Sequence, residues 1–136
     1  MKGKLSNMDK DFERLIVEAK KIANKRVISE YMSCGHVGCA LLTKSGKIYT
    51  GINIDSKCNL GNCAEYAAIE EMLKNNETEI EKIVAYSAKD KIYPPCGKCR
   101  ELIRMVNSSN LETQVMVENE KVYKLKELLP EMYITT

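Results

Sequence analysis

Pro95-Cys96-Gly97-Lys98-Cys99, met well downstream of Cys63-Ala64-Glu65, is the stretch on which the reading of this chain turns. If Cys96 opens a helix, Cys99 lies one turn further on, and both sulfurs project from one face to bind a single tetrahedral ion. Cys63 offers a third thiolate from the start of another helix. Glu65, two residues along, can reach a water at the metal without ligating it. Three thiolates with a fourth position open describe a Zn2+ site built for hydrolysis rather than a closed structural one. Both segments therefore predict helices that begin after loops. Ligands collect at such places in open α/β sheets, and helix dipoles favour thiolates there.

Working outward, the remaining elements alternate. Ser6 or Asn7 can cap a helix whose apolar positions Phe12, Leu15, Ile16, Ala19, Ile22 and Ala23 recur at helical spacing. Ser29 to Gly35 reads as irregular. Val37 to Leu42 reads as a buried strand, Ser45-Gly46 as a turn, and Ile48 to Asn53 as the returning partner of a hairpin. Asp55 to Asn62 is expected to be loop, and Ala64, Ala67, Ala68, Met72 and Leu73 mark a second helix. Ile83 to Ser87 is a strand, and the loop after it ends at Pro94-Pro95. Cys96 to Val106 is the third helix, with Leu102, Ile103 and Val106 as its apolar stripe. Gln114 to Glu118 and Lys121 to Leu125 form a last strand pair, and Lys126 to Leu129 a short helical turn. The pattern predicts an α/β sandwich with a mixed sheet between helices.

Length and charge bound the function. The chain has 136 residues, enough for one domain with its own core over residues 1–136. A net charge of +2 with both signs interspersed gives no basic patch for a nucleic acid polymer. No apolar run is long enough to span a membrane, and Met1 to Met8 carries no signal-peptide core, so a cytoplasmic location is expected. The six cysteines suit an intracellular metal site better than a disulfide framework, leaving Cys34, Cys39 and Cys58 as free thiols. Cys39, inside an apolar run, reads as a small buried hydrophobe. Two other uses of the cysteines stand beside the open site. Cys58 could join Cys63, Cys96 and Cys99 in a closed four-thiolate module, and Cys96-Gly97-Lys98-Cys99 could be a redox motif. The first leaves Glu65 without a task. The second places the motif unusually late in the chain. Three thiolates on a divalent ion leave a formal charge of minus one, which helix N-termini offset. Arg100 either donates to a ligand sulfur or is a solvated helix residue.

The Cys63-Ala64-Glu65 and Pro95-Cys96-Gly97-Lys98-Cys99-Arg100 motifs match the zinc-deaminase signature of a Cys or His ligand, a non-ligating Glu and Pro-Cys-x-x-Cys. With Val37-Gly38-Cys39-Ala40-Leu41 and Gly51-Ile52-Asn53-Ile54-Asp55 before them, the chain resembles the cytidine deaminases that act on free nucleosides. The resemblance implies a three-layer α/β/α fold with about five strands and a homotetramer whose active sites neighbouring subunits complete. It further implies hydrolytic conversion of a cytosine ring to uracil with loss of ammonia, as in pyrimidine salvage. Cys63, Cys96 and Cys99 then hold zinc, and Glu65 carries the proton.

The resemblance also implies substrate contacts at Asn53, Asp55, Ala64, His36 and Tyr133. Asp55 is one methylene shorter than the Glu usual there, and on residue type alone Asn53 reads as a strand-end turn residue. The aromatic residue that the family stacks on the pyrimidine is missing from Cys34-Gly35-His36-Val37; either His36 or Tyr31 takes its role, or His36 is simply a surface or turn residue beside the strand. Tyr133 either caps the base pocket or packs at the chain end. Ile28-Ser29-Glu30, a shortened loop before Cys63, and Glu127-Leu128-Leu129-Pro130 followed by Tyr133 are similar to the blasticidin S deaminases. That branch acts on an antibiotic with the same ring chemistry and a different sugar.

Overall fold

The first helix, α1, runs Lys10–Ile22 with Asp9 as its N-cap, the Asp9 side chain accepting from the Asp11 N–H. These come from a computed structural model that describes residues 9–134. Ser6 and Asn7, the caps expected from sequence, lie outside the described residues. Phe12, Leu15 and Ala19 are fully buried, as their spacing predicts, and the two larger side chains contribute about 1.5–3 kcal/mol each by leaving water.

Arg26–Ser29 (β1), Met32–Thr43 (β2) and Ile48–Ser56 (β3) follow, then Ala64–Lys74 (α2), Ile80–Ser87 (β4), Lys91–Tyr93 (β5), Gly97–Val106 (α3), Gln114–Glu118 (β6) and Lys121–Lys124 (β7). Three 3-10 turns, at Lys57–Asn59, Ser108–Glu112 and Leu125–Leu128, complete the order. Three sequence expectations need correction. Ser29 to Gly35 is not irregular: β1 pairs with the start of β2 through Arg26↔Cys34 and Val27↔Ser33. Its residues are all exposed, so no burial pattern could betray it. Lys91–Tyr93 is a strand rather than loop, bonded to the end of β4. Asp55 belongs to β3, which runs on to Ser56.

Among the described residues the sheet, expected to have about five strands, is five positions wide and built from seven strands. β3 pairs with β2 along one side, while β1 and β4 share the other side of β2. β5 and β6 likewise share the far side of β4, with β7 beyond β6. Short strands laid end to end explain the surplus. Only β4 and β6 run parallel among these pairs, because α3 supplies the crossover that a parallel pair needs.

Strand alternation divides the core between the two faces. Cys39, Leu41, Ile83 and Val115 pack under α2 and α3, whereas Ala40, Leu42, Val84 and Met116 pack under α1. The layers are α/β/α. On the first face Gly51 lets α2 press onto β3: a Cβ there would stand 2.4 Å from the Ala68 nitrogen and 2.8 Å from the Ala64 carbonyl oxygen. That contact sets the start of α2 beside the end of β3.

On the opposite face a buried charge fastens α1. Lys82 on β4, 7% exposed, donates to Asp9 Oδ2 at 2.6 Å and Asp11 Oδ2 at 2.8 Å. Burial works against both ions. The hydrogen bonds prevail, holding Asp9 below its ordinary 3.8 and Lys82 above 10.5. A lowered carboxylate pKa stabilises the fold above the unfolded value and stops doing so as pH falls through the folded one; a raised lysine pKa loses its contribution as pH rises through the folded value. The pair therefore acts between about pH 4 and 10.5. Replacing Lys82 by Met, which keeps most of the packing, is expected to cost about 1–2 kcal/mol at pH 7, less than a wholly buried pair because both carboxylates are partly solvated. Urea unfolding at several pH values checks this, with the difference from the parent closing as pH falls below about 4.

Candidate metal centre and substrate pocket

Cys63 is the N-cap of α2 and Cys96 the N-cap of α3. Their carbonyls open the two helices by accepting from the Ala67 and Arg100 N–H groups. Cys99 follows in the first turn of α3 and is fully buried. All three Sγ atoms lie within 4.8 Å of one another. Cys63 Sγ and Cys96 Sγ are 3.7 Å apart, far beyond a disulfide bond. It matches the ~3.8 Å edge of a tetrahedron with zinc–sulfur bonds of about 2.3 Å. The donor set fits zinc, and these three residues would hold it.

The thiols differ in their readiness to ionise. Burial lifts Cys63 above its ordinary value, and burial followed by the Glu65 charge lifts Cys99 further. At Cys96 burial works in the same direction, but the Cys99 N–H and the neighbouring thiols outweigh it and bring Cys96 down. Three sulfurs crowded beside a carboxylate repel as anions, and a divalent cation removes that penalty.

Glu65, in the first turn of α2, is 6% exposed, and its Oε1 stands 3.8 Å from Cys99 Sγ. Burial raises its pKa, with a backbone N–H and Cys99 opposing. Both Cys63 and Glu65 line a pocket of about 470 Å³, together with Ala64, Asn53, Asp55, Cys96 and Lys98. Asn53 and Asp55, two apart on β3, share a face, and Asn53 Nδ2 donates to Asp55 Oδ2 at 3.2 Å. Asn53 Oδ1 accepts the Val37 N–H at 2.9 Å, so it is more than the turn residue its type suggested.

Other expected residues fall elsewhere. Among the described residues lining the pocket, His36, Tyr31 and Tyr133 do not appear. His36 instead meets Asp55, its Nε2 3.3 Å from Asp55 Oδ2. Tyr31 is exposed, and Tyr133 is 83% exposed with its backbone N–H donating to Glu101. Arg100 is neither a sulfur donor nor a solvated residue: its guanidinium donates to the carbonyls of Pro95 and Leu128. It thereby anchors the segment that carries Cys96. Cys58 is exposed and outside the sulfur cluster, so the four-thiolate module has no fourth ligand there. Cys39 is wholly buried, its thiol pushed up by burial, as expected of a small hydrophobe.

Among the pocket residues that escaped the sequence reading, Asn62, Lys98 and Tyr93 stand out by their contacts or position. Asn62 Oδ1 accepts both the Cys63 N–H and the Lys98 ammonium, at 3.0 and 2.9 Å, stitching the two ligand segments together. Lys98 also lies over the Tyr66 ring, 5.5 Å from its centroid. Tyr93 closes β5, a strand too short to show a period. Lys98 was within sight, since it stands between two proposed ligands; nothing in local sequence marked Asn62 or Tyr93. The cluster geometry predicts that Cys58→Ser keeps a full equivalent of zinc, whereas Cys96→Ser loses metal to a chelator at least about tenfold more readily. Metal analysis after dialysis checks both, and zinc loss from Cys58→Ser would restore the four-thiolate site.

Comparison with known proteins agrees with this geometry. Residues 9–115 match the family model described as the cytidine and deoxycytidylate deaminase zinc-binding region. A cytidine deaminase of Sporosarcina psychrophila is 34% identical over 94 residues, 68% of either chain. The blasticidin-S deaminase of Bacillus cereus is 31% identical over 130 residues, 86% of this chain and 91% of the relative. The crystal structure of cytidine deaminase from Mycobacterium leprae shares the fold, with a TM-score of 0.75 at 22% identity, covering 90% of this chain and all of that one. Fold, sulfur cluster and sequence relationship together make the chain a member of the cytidine and deoxycytidylate deaminase family.

Proposed function

We propose that this protein is a zinc-dependent hydrolase that converts the cytosine ring of a free nucleoside, cytidine or deoxycytidine, to uracil with release of ammonia. The observation that carries the reading is the buried Glu65 carboxylate beside three convergent sulfurs, on a pocket that also presents Asn53 and Asp55. Zinc in an open three-thiolate site supplies acidification of a water. Glu65 moves the protons. Its burial makes it a stronger base than an exposed carboxylate, suited to taking one proton from the attacking water and giving it to ring N3, then taking the second from the new C4 hydroxyl and giving it to the leaving amine as the C4=O bond forms. Asn53 and Asp55 offer a donor and acceptors to sugar hydroxyls, and Val37, Tyr93 and Pro94 give the pyrimidine an apolar wall.

A second reading, deamination of blasticidin S, is favoured by the length of the match to the Bacillus cereus enzyme. Asp55 in place of the expected Glu supports it too, since the ring chemistry is shared and only the sugar side differs. In either case the chain is assigned a role on small molecules, not nucleic acid polymers, and a cytoplasmic place in pyrimidine salvage or drug inactivation. Among the described residues no helix is long and apolar enough to cross a membrane. We assign a homotetramer as well. Val27, Tyr31 and Leu60 are apolar and between 61% and 82% exposed, which suits a subunit contact, and the exposed Tyr133 is assigned to a neighbouring subunit's base pocket.

Ammonia release by the zinc-loaded protein, measured in parallel with cytidine, deoxycytidine, blasticidin S and free cytosine, tests the assignment. Turnover of the two nucleosides is expected; turnover of blasticidin S alone selects the second reading, and turnover of none sinks both. Glu65→Gln is expected to retain zinc while kcat falls about 10²- to 10⁴-fold. Near-parental activity in that variant would remove Glu65 from the chemistry.

A further inference from the structure

A bulge in the β2–β3 ladder builds the sugar side of the pocket. Cys34 pairs with Ile54 and Gly38 with Ile52, so Gly35, His36 and Val37 stand opposite Asn53 alone. Gly35 makes this possible with a φ of 83°, at a place where a Cβ would lie 2.0 Å from the Asn24 carbonyl oxygen. The Val37 N–H, displaced from the regular ladder, is taken by Asn53 Oδ1. On the other side of β2 the His36 carbonyl accepts the Ala88 N–H at 2.7 Å. The backbone on which His36 stands is therefore held between β3 and β4.

From there the imidazole reaches across to β3. His36 Nε2 is 3.3 Å from both Asp55 Oδ2 and Ser33 Oγ. Ser33 Oγ is the hydrogen-bond partner of Nε2, with donor and acceptor set by the tautomer, and an ionised carboxylate, which only accepts, favours the proton on Nε2 at this distance. Asn53 Nδ2 donates to the same Oδ2. One hydrogen bond, from Asn53, and one close polar contact, from His36, thus converge on Oδ2, and Asp55 Oδ1 makes no hydrogen bond among the described residues. A free carboxylate acceptor beside an Asn amide suits a ligand hydroxyl.

We propose that His36 is a positioning residue for nucleoside recognition: together with Asn53 it pins Oδ2 of Asp55, presenting Oδ1 to a hydroxyl of the bound sugar. The inference rests on the nucleoside reading of the pocket. It also accounts for a carboxylate one methylene shorter than the expected Glu, because a short side chain with 60% of its surface exposed needs an external hold. His36 then serves the sugar and not the base, and a ligand without a sugar is indifferent to it.

Calorimetric binding of uridine, which is not turned over, and of uracil, which lacks the sugar, tests this on the zinc-loaded protein. His36→Leu is expected to weaken uridine on the order of tenfold, the scale of one close polar contact to a charged group, with uracil within about twofold. His36→Gln, which keeps an N–H at similar reach, is expected to recover most of the loss. In an Asp55→Ala background, His36→Leu is expected to have no further effect, since the pair acts as a unit. Equal losses for uridine and uracil, an undiminished effect without Asp55, or no uridine binding by the parent would each overturn the proposal. The ammonia assay separates the two claims. A protein that releases no ammonia but shows the His36-dependent uridine shift loses the deaminase assignment and keeps this one.

Discussion

Two helix N-termini meet at one point, and the rest of the molecule is arranged so that they can. Cys63 and Cys96 cap α2 and α3, and their sulfurs lie 3.7 Å apart although they come from opposite ends of a long sequence interval. Bringing thiolates this close, next to a buried carboxylate, costs free energy unless a cation is shared among them. Helix dipoles offset part of that cost. Metal affinity and folding are for this reason linked in the same residues, as in other sites whose ligands come from separate segments.

The supports of that point are ordinary packing and hydrogen bonding. Gly51 admits α2 against β3, which sets Glu65 close to Asn53. Asn62 ties the Cys63 segment to Lys98, and Arg100 ties the Pro95 carbonyl to Leu128 near the chain end. None of Gly51, Asn62 and Arg100 belongs to the sulfur cluster itself. Each removes a degree of freedom from a ligand segment, and small displacements of ligands are costly at metal centres.

The pocket has a stiff side and an adaptable one. Around the sulfurs, the buried Cys99 and Glu65 and the two helix starts leave little room for change without loss of the metal. On the sugar side the groups are half-exposed, set on a bulged strand and connected by contacts of 3.2–3.3 Å. A family can vary its substrate there while the ring chemistry persists. In the proposed reading Asp55 and His36 are local solutions of that kind, acting on what is bound more than on how it reacts.

The sequence by itself determined the three cysteines whose sulfurs converge, the carboxylate beside them and the elements whose periodicity reports burial, because those signals are local. A Cys-x-x-Cys step spans one helical turn, and Phe12, Leu15 and Ala19 mark a face whatever it packs against. Strand β1 and strand β5 were illegible for the complementary reason: they are short and mostly exposed, and are strands only because β2 and β4 present free edges. The tertiary structure alone decided that Arg100 holds carbonyls, that Cys58 stands apart from the sulfurs, that Asn62 and Tyr93 belong to the pocket, and that His36 faces Asp55. Each is a relation between residues on different segments. Only the folded sheet, with its bulge at Gly35, fixes the distances between them.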